Sequence, residues 1–166
     1  MAVREILTLP DKLLKQRAKP IEKICESEKQ LFKDLSDTTR EAPGFALAAP
    51  QIGVLKRAIC VDASQAKRES PTNHGEVILY NPRVIAGNDP QINREGCLSV
   101  PDYTGDVERY QKITIAGLNP HGEPVELHSE GWEAVAFQHE IDHLDGIVFI
   151  DRIASLEDSL FSRKTS

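Results

Sequence analysis

The feature that most restricts this chain is a segment near residue 140 that must be helical and buried at once. From about Ser129, a suitable N-cap, to about Leu144, with Gly146 as a stop, the sequence reads as one helix. Projected at about 100° per residue it shows two apolar faces. Trp132, Val135 and Ala136 share one side with His139 and His143, while Ala134, Phe137, Ile141 and Leu144 occupy another. Only Gln138, Asp142 and Asp145 make a polar strip. A helix apolar over so much of its circumference belongs inside a domain and needs other elements to cover it.

The preceding residues supply those elements. Ser27-Glu28-Lys29-Gln30 has capping-box spacing, Leu31, Leu35 and Thr38 or Thr39 continue a helical stripe, and Pro43-Gly44 ends it. Arg57–Val61 and Val77–Tyr80 are short β-rich runs, separated by a polar loop from Ala63 to Gly75. Ile113–Leu118 and Val125–His128, joined through Asn119-Pro120-His121-Gly122, read as a hairpin. The expectation is an α+β fold, with short mixed or antiparallel strands around the buried helix. A single domain over residues 1–166, with a short tail from about 152, fits the length.

Composition narrows the function classes. Hydrophobic residues at 40% and charged ones at 28% exclude a disordered or fibrous chain. Lys and Arg number 20 against 26 Asp and Glu, a formal charge of −6, which argues against a nucleic-acid sleeve and for no DNA partner while leaving room for a local basic patch. No apolar run approaches the roughly 20 residues of a membrane helix, and Met1–Glu5 lacks an apolar signal core, which points to a cytoplasmic protein. Cys25, Cys60 and Cys97 are too few for a disulfide framework and suit a reducing compartment.

His139-Glu140-Ile141-Asp142-His143 is an HExxH array, and two histidines four apart on a helix can reach one metal ion. Glu140 lies at the rim of that face, placed to act on a metal-bound water rather than to ligate. Either histidine alone would read as a hydrogen-bonded core residue; the pair on one apolar face does not. A mononuclear catalytic site needs a third protein ligand. No histidine follows His143, and Glu157 is the only later glutamate. Upstream, His74 falls in the loop, His121 in the turn and His128 on a strand. Cys97, in Glu95-Gly96-Cys97-Leu98-Ser99, is the stronger candidate. Cys25 and Cys60 sit in apolar helix-type and strand-type patterns that suit buried packing thiols.

Three segments together resemble the peptide deformylase family: Gly44-Phe45-Ala46-Leu47-Ala48-Ala49-Pro50-Gln51, Glu95–Ser99 and Gln138–His143. The resemblance runs from Ile6-Leu7 to near Asp151. It implies a metalloenzyme that removes the formyl group from formyl-methionine at the start of nascent polypeptides, releasing formate. It assigns Cys97, His139 and His143 as metal ligands and Glu140 as general base and acid for a metal-bound water. It assigns the Gln51 side-chain amide and the Leu98 backbone N–H as oxyanion donors. Thiolate plus two imidazoles could hold Fe²⁺, Zn²⁺, Ni²⁺ or Co²⁺, and family precedent favours Fe²⁺ in the cell. Phe45, Ala46 and Gly96, with Gly44, match the substrate-contacting segments. Trp132, Val135 and Ala136 share the imidazoles' face, where pocket lining and ordinary core packing are compatible. The family usually has glycine where this chain has Ala46, so a methyl group there would narrow the cleft or restrict the backbone. Transient ribosome contact is also implied, although the tail's basic residues are only Arg152, Arg163 and Lys164.

Two other classes compete. A metal-stabilised binding protein without turnover would not require Gln51, Leu98 and Glu140 together. A zinc endopeptidase using the same array lacks its downstream ligand, and a Cys97 distant from the two histidines would favour it.

Overall fold

A computed structural model describes residues 3–153 and 155–163. Met1, Ala2 and Lys164, used in reading the termini, lie outside the described residues. In chain order the main elements are α1 (Glu26–Glu41), β1 (Ala46–Ala48), β2 (Ala58–Asp62), β3 (Glu76–Cys97), β4 (Val100–Leu118), β5 (Pro124–Glu130), α2 (Trp132–Leu144) and β6 (Leu160–Ser162). One sheet runs β1-β2-β3-β4-β5 with every neighbour antiparallel, and β6 pairs with β4 at Tyr103–Gly105. The α+β expectation holds. No helix among the described residues is long and apolar enough to cross a membrane.

The two helices clamp the first half of the sheet from opposite sides. Side chains alternate across a strand, so Ala48, Ile59, Val61 and Leu79 meet Ala134, Ala136, Phe137 and Leu144 of α2. Leu47, Cys60, Ile78 and Tyr80 face Leu31 and Leu35 of α1. All five residues of β2 are therefore buried, which explains its unbroken apolar run. Cys60 is a packing thiol, and burial pushes it up to about 12. In α2 the polar strip is also enclosed, since Gln138 and Asp142 are buried.

Several boundaries depart from the sequence expectation. The capping role at α1 passes from Ser27 to Glu28, whose carboxylate accepts the Cys25 N–H at 3.2 Å, while the Ser27 hydroxyl donates to the same carboxylate at 2.5 Å. Lys56 fixes Glu28 further at 2.6 Å. Cys25 thus flanks the helix start and is exposed, not a buried packing thiol. Ser129 does not cap α2 either: it lies within β5, and its hydroxyl donates to Glu133 Oε1 at 2.7 Å. The N-cap is Gly131, at φ +69°, a left-handed-side backbone that glycine tolerates best. The largest difference is length, because β3 and β4 span 22 and 19 residues. Their outer halves form an extended hairpin whose residues Arg83–Arg94 are mostly exposed, and this removes the hydrophobic alternation that announces a strand.

Candidate metal centre and cleft

The β3–β4 hairpin delivers one half of the site and α2 the other. Cys97 closes β3 and pairs with Val100, so Leu98 and Ser99 form a two-residue connection. His139 and His143 are one helical turn apart on α2, with their ring centroids 5.0 Å from each other. The thiol and the two imidazoles offer ligand atoms that all lie within 4.8 Å of one another, and all three residues are buried. His143 Nε2 is 3.3 Å from Cys97 Sγ. His139 Nδ1 is 2.8 Å from Glu95 Oε1, which turns its other ring nitrogen toward the thiol and His143. One sulfur and two nitrogens at this separation suit a borderline divalent cation with room for a further ligand.

Around this triad the polar groups interlock. Arg109 is buried and donates to Glu95 at 2.7 and 3.0 Å and to Asp142 at 2.6 Å. Asp142 also receives Arg152 at 2.5 and 2.8 Å. Burial opposes ionising Glu95, yet the bonds from His139 and Arg109 hold its carboxyl at about 2. An anchored carboxylate behind a ligand imidazole fixes its tautomer and orientation. Burial, with His139 and Arg109 nearby, holds His143 well below the ordinary histidine value and favours the neutral ligating form. Cys97 Sγ also receives the Ser99 N–H at 3.4 Å.

Glu140 is buried beside His139, and its Oε1 has no hydrogen-bond partner among the described residues. Burial pushes its carboxyl up to about 7, which suits a group that takes and returns a proton near neutrality. Gln51 follows β1 in a short turn. Its Oε1 accepts the Ala48 N–H at 2.9 Å, and its Nε2 lies 3.1 Å from Ser99 Oγ and 3.6 Å from Cys97 Sγ.

These residues open onto a cleft of about 530 Å³. Gly44, Phe45, Ala46, Gln51, Gly96, Cys97, Leu98, Trp132, Val135, Ala136, His139 and Glu140 all line it. Every candidate except His143 thus meets in one cleft, and His143 lies fully buried behind it. Ala46 pairs with Val61 in β1 and is not among the positive-φ residues, so its methyl meets no backbone position reserved for glycine. It lines the cleft.

Sequence reasoning missed the Arg109–Asp142 bond and the cations at the cleft mouth. Glu95 carried a signal, lying two residues before Cys97, but Arg109 meets it only through pairing across the long hairpin. His74 is no ligand: its Nδ1 is 2.7 Å from Glu133 Oε1. His128 lies beside Glu130 at 3.1 Å.

Comparison with known proteins points the same way. The family model described as polypeptide deformylase matches residues 3–159. A peptide deformylase of Thermodesulfovibrio yellowstonii is 40% identical over 164 residues, covering 99% of this chain and 97% of that one. One from Aquifex aeolicus is 42% identical over 151 residues, 91% of this chain and 88% of the relative. The crystal structure of a Legionella pneumophila peptide deformylase superposes with a TM-score of 0.85 at 40% identity, covering 94% of this chain and 89% of that one. The Ehrlichia chaffeensis enzyme in complex with actinonin gives 0.87 at 33% identity, covering 95% and 92%.

Proposed function

The chain belongs to the polypeptide deformylase family and is a metal-dependent hydrolase that removes N-terminal formyl groups; from that premise we propose how its own residues divide the work. Cys97, His139 and His143 hold the metal, and the observation that carries this is their three ligand atoms within 4.8 Å, next to an unpartnered Glu140 oxygen. When bound, the cation supplies a Lewis acid for the formyl carbonyl and lowers the pKa of water beside it. Fe²⁺ is the cellular metal in this reading, with Zn²⁺, Ni²⁺ or Co²⁺ able to replace it, as a mixed sulfur and nitrogen set allows.

Glu140 takes the proton of the attacking water at Oε1 and gives it to the leaving amine. The Gln51 amide and the Leu98 N–H donate to the oxygen on which negative charge develops. Support for Gln51 comes from Ala48, whose N–H holds Oε1 and so aims Nε2 at the Cys97 side of the cleft. The floor of Phe45, Ala46, Trp132, Val135 and Ala136, with Gly44 and Gly96 beside it, receives the methionine side chain of a formyl-methionyl peptide. Such a substrate belongs to nascent chains, which places the enzyme in the cytoplasm and in transient contact with the ribosome. Arg152 is occupied by Asp142, so ribosome contact rests on other groups.

The test is formate release from formyl-methionyl peptides by protein prepared without oxygen, with metal content measured on the same sample. Stoichiometric Fe²⁺ and turnover are expected. Metal binding without formate from any such peptide would remove the catalytic assignment.

A further inference from the structure

We propose that the mouth of the cleft reads charge: Lys67 and Arg68 on one wall and Arg163 on the other favour substrates with an acidic side chain at the third residue. This rests on the formyl-peptide reading above and adds to it a preference beyond the first residue.

Four cations, Lys67, Arg68, Arg94 and Arg163, line the same cleft as the metal triad. Among the described residues, the only carboxylates lining it are Glu95, bound to Arg109 and His139, and the catalytic Glu140. Glu69 follows Arg68 in sequence but does not line the cleft. Arg94 is engaged by Asp106 at 3.0 Å and lies over the Phe161 ring. Among the described residues, Lys67, Arg68 and Arg163 have no ion-pair partner, and all three are exposed. The surplus is local, because the chain as a whole carries −6. A field of one sign at a cleft, on a molecule of the other sign, is a recognition feature rather than a by-product of composition.

Both walls are built. Arg68 sits over the Trp132 ring at 5.1 Å from its centroid, a cation–π contact that keeps the guanidinium above the apolar floor. Its loop is fastened to the start of α2 through buried Glu133. That carboxylate accepts from Thr72 Oγ1 at 2.7 Å and from the His74 N–H at 2.8 Å, while the Ser70 hydroxyl donates to Glu130 O at 2.9 Å. On the other side, β6 pairs with β4 and the Arg163 N–H donates to Asp102 O at 2.8 Å. The guanidinium lies against Gly96, where a side chain would collide with it. A peptide whose formyl end reaches Glu140 leaves the cleft between these walls. The cations gather around the mouth of one cleft and do not run on as an extended stripe, which favours a peptide carboxylate over a nucleic-acid backbone.

The experiment compares kcat/KM for formyl-Met-Ala-Asp-amide and formyl-Met-Ala-Ala-amide on the Fe²⁺ or Ni²⁺ enzyme, with formyl-Met-Ala-Ala bearing a free carboxylate as a third arm. An acidic-to-neutral ratio of about five at low ionic strength is expected, in the range of a few exposed charge pairs. Raising the salt should bring the ratio toward one, a result that needs no variant. The pair Arg68→Gln and Arg163→Gln should abolish the preference, mainly through KM. A ratio of one in the native enzyme with good turnover of the neutral amide overturns this proposal and leaves the deformylase reading standing. A gain confined to the free-carboxylate arm also overturns it, as does competition by a short oligonucleotide at substrate-level concentration. No formate from any of the three peptides overturns both.

Discussion

The two ends of the cleft treat charge in opposite ways. At and behind the floor, Glu95, Arg109, Asp142 and His139 are bonded to one another and buried. At the mouth, Lys67, Arg68 and Arg163 are exposed; the Trp132 ring lies under Arg68 and a backbone bond to Asp102 holds Arg163, and neither neutralises its charge. The floor uses charge to hold geometry, where low dielectric makes each bond strong and each orphan costly. The mouth uses charge to discriminate, where water weakens each pair and keeps it reversible.

Variants can break this contrast, beginning at the floor. Replacing Cys97 with Ala should abolish stoichiometric metal and formate release together; metal analysis showing an intact one-to-one complex would sink the ligand assignment. Glu140→Ala should retain the metal and lower kcat by roughly 10²–10⁴, with a large loss of bound metal counting against a proton-transfer role. Arg109→Met leaves Glu95 and Asp142 short of a partner in the interior, and urea unfolding should show a loss of about 3 kcal/mol. Arg68→Gln at the mouth should change stability by less than about 0.5 kcal/mol; comparable losses in these two variants would erase the distinction.

The loop that carries Arg68 adds a pH dependence. Burial opposes ionising Glu133, but the bonds from His74, Ser129 and Thr72 hold its carboxyl below the ordinary value of 4.5. A depressed folded value means stability that is fully present above about 4.5 and lost as pH falls through the folded value. Thermal melts of Glu133→Gln should therefore start lower at neutral pH, by about 1 kcal/mol, and fall less on acidification than those of the native chain. Parallel melting curves for the two proteins would contradict this role.

What could be read from the residues follows the distance over which each feature is encoded. The histidine pair and Glu140 lie within one helical turn, so periodicity alone brings them together. Cys97 needed a pattern of its own, 42 residues upstream of His139. Arg109 was invisible because its partners depend on the register of a long hairpin and on its packing against α2, and the opposing stretch of β3 is mostly exposed and shows no apolar alternation. The helix starts were misplaced for a related reason. Ser27 and Ser129 have N-cap chemistry, but their hydroxyls donate to Glu28 and Glu133 instead. Cys25 was misread as buried because its apolar neighbours Ile21 and Ile24 belong to the segment before the helix, which turns inward while Cys25 does not.

The clamp of α1 and α2 around β2 sets the order in which the molecule opens. Amides of β2 and of the adjacent half of β3 lie between two buried layers and should exchange with deuterium only on global unfolding. The hairpin end at Cys97 and the β6 pairing beside it lie outside that clamp, on a smaller buried cluster, and their amides should exchange earlier. The two imidazoles and the thiol thus sit on different elements, α2 and the hairpin end. A cation held there would draw its ligands from both units, two imidazoles on α2 and a sulfur at the hairpin end.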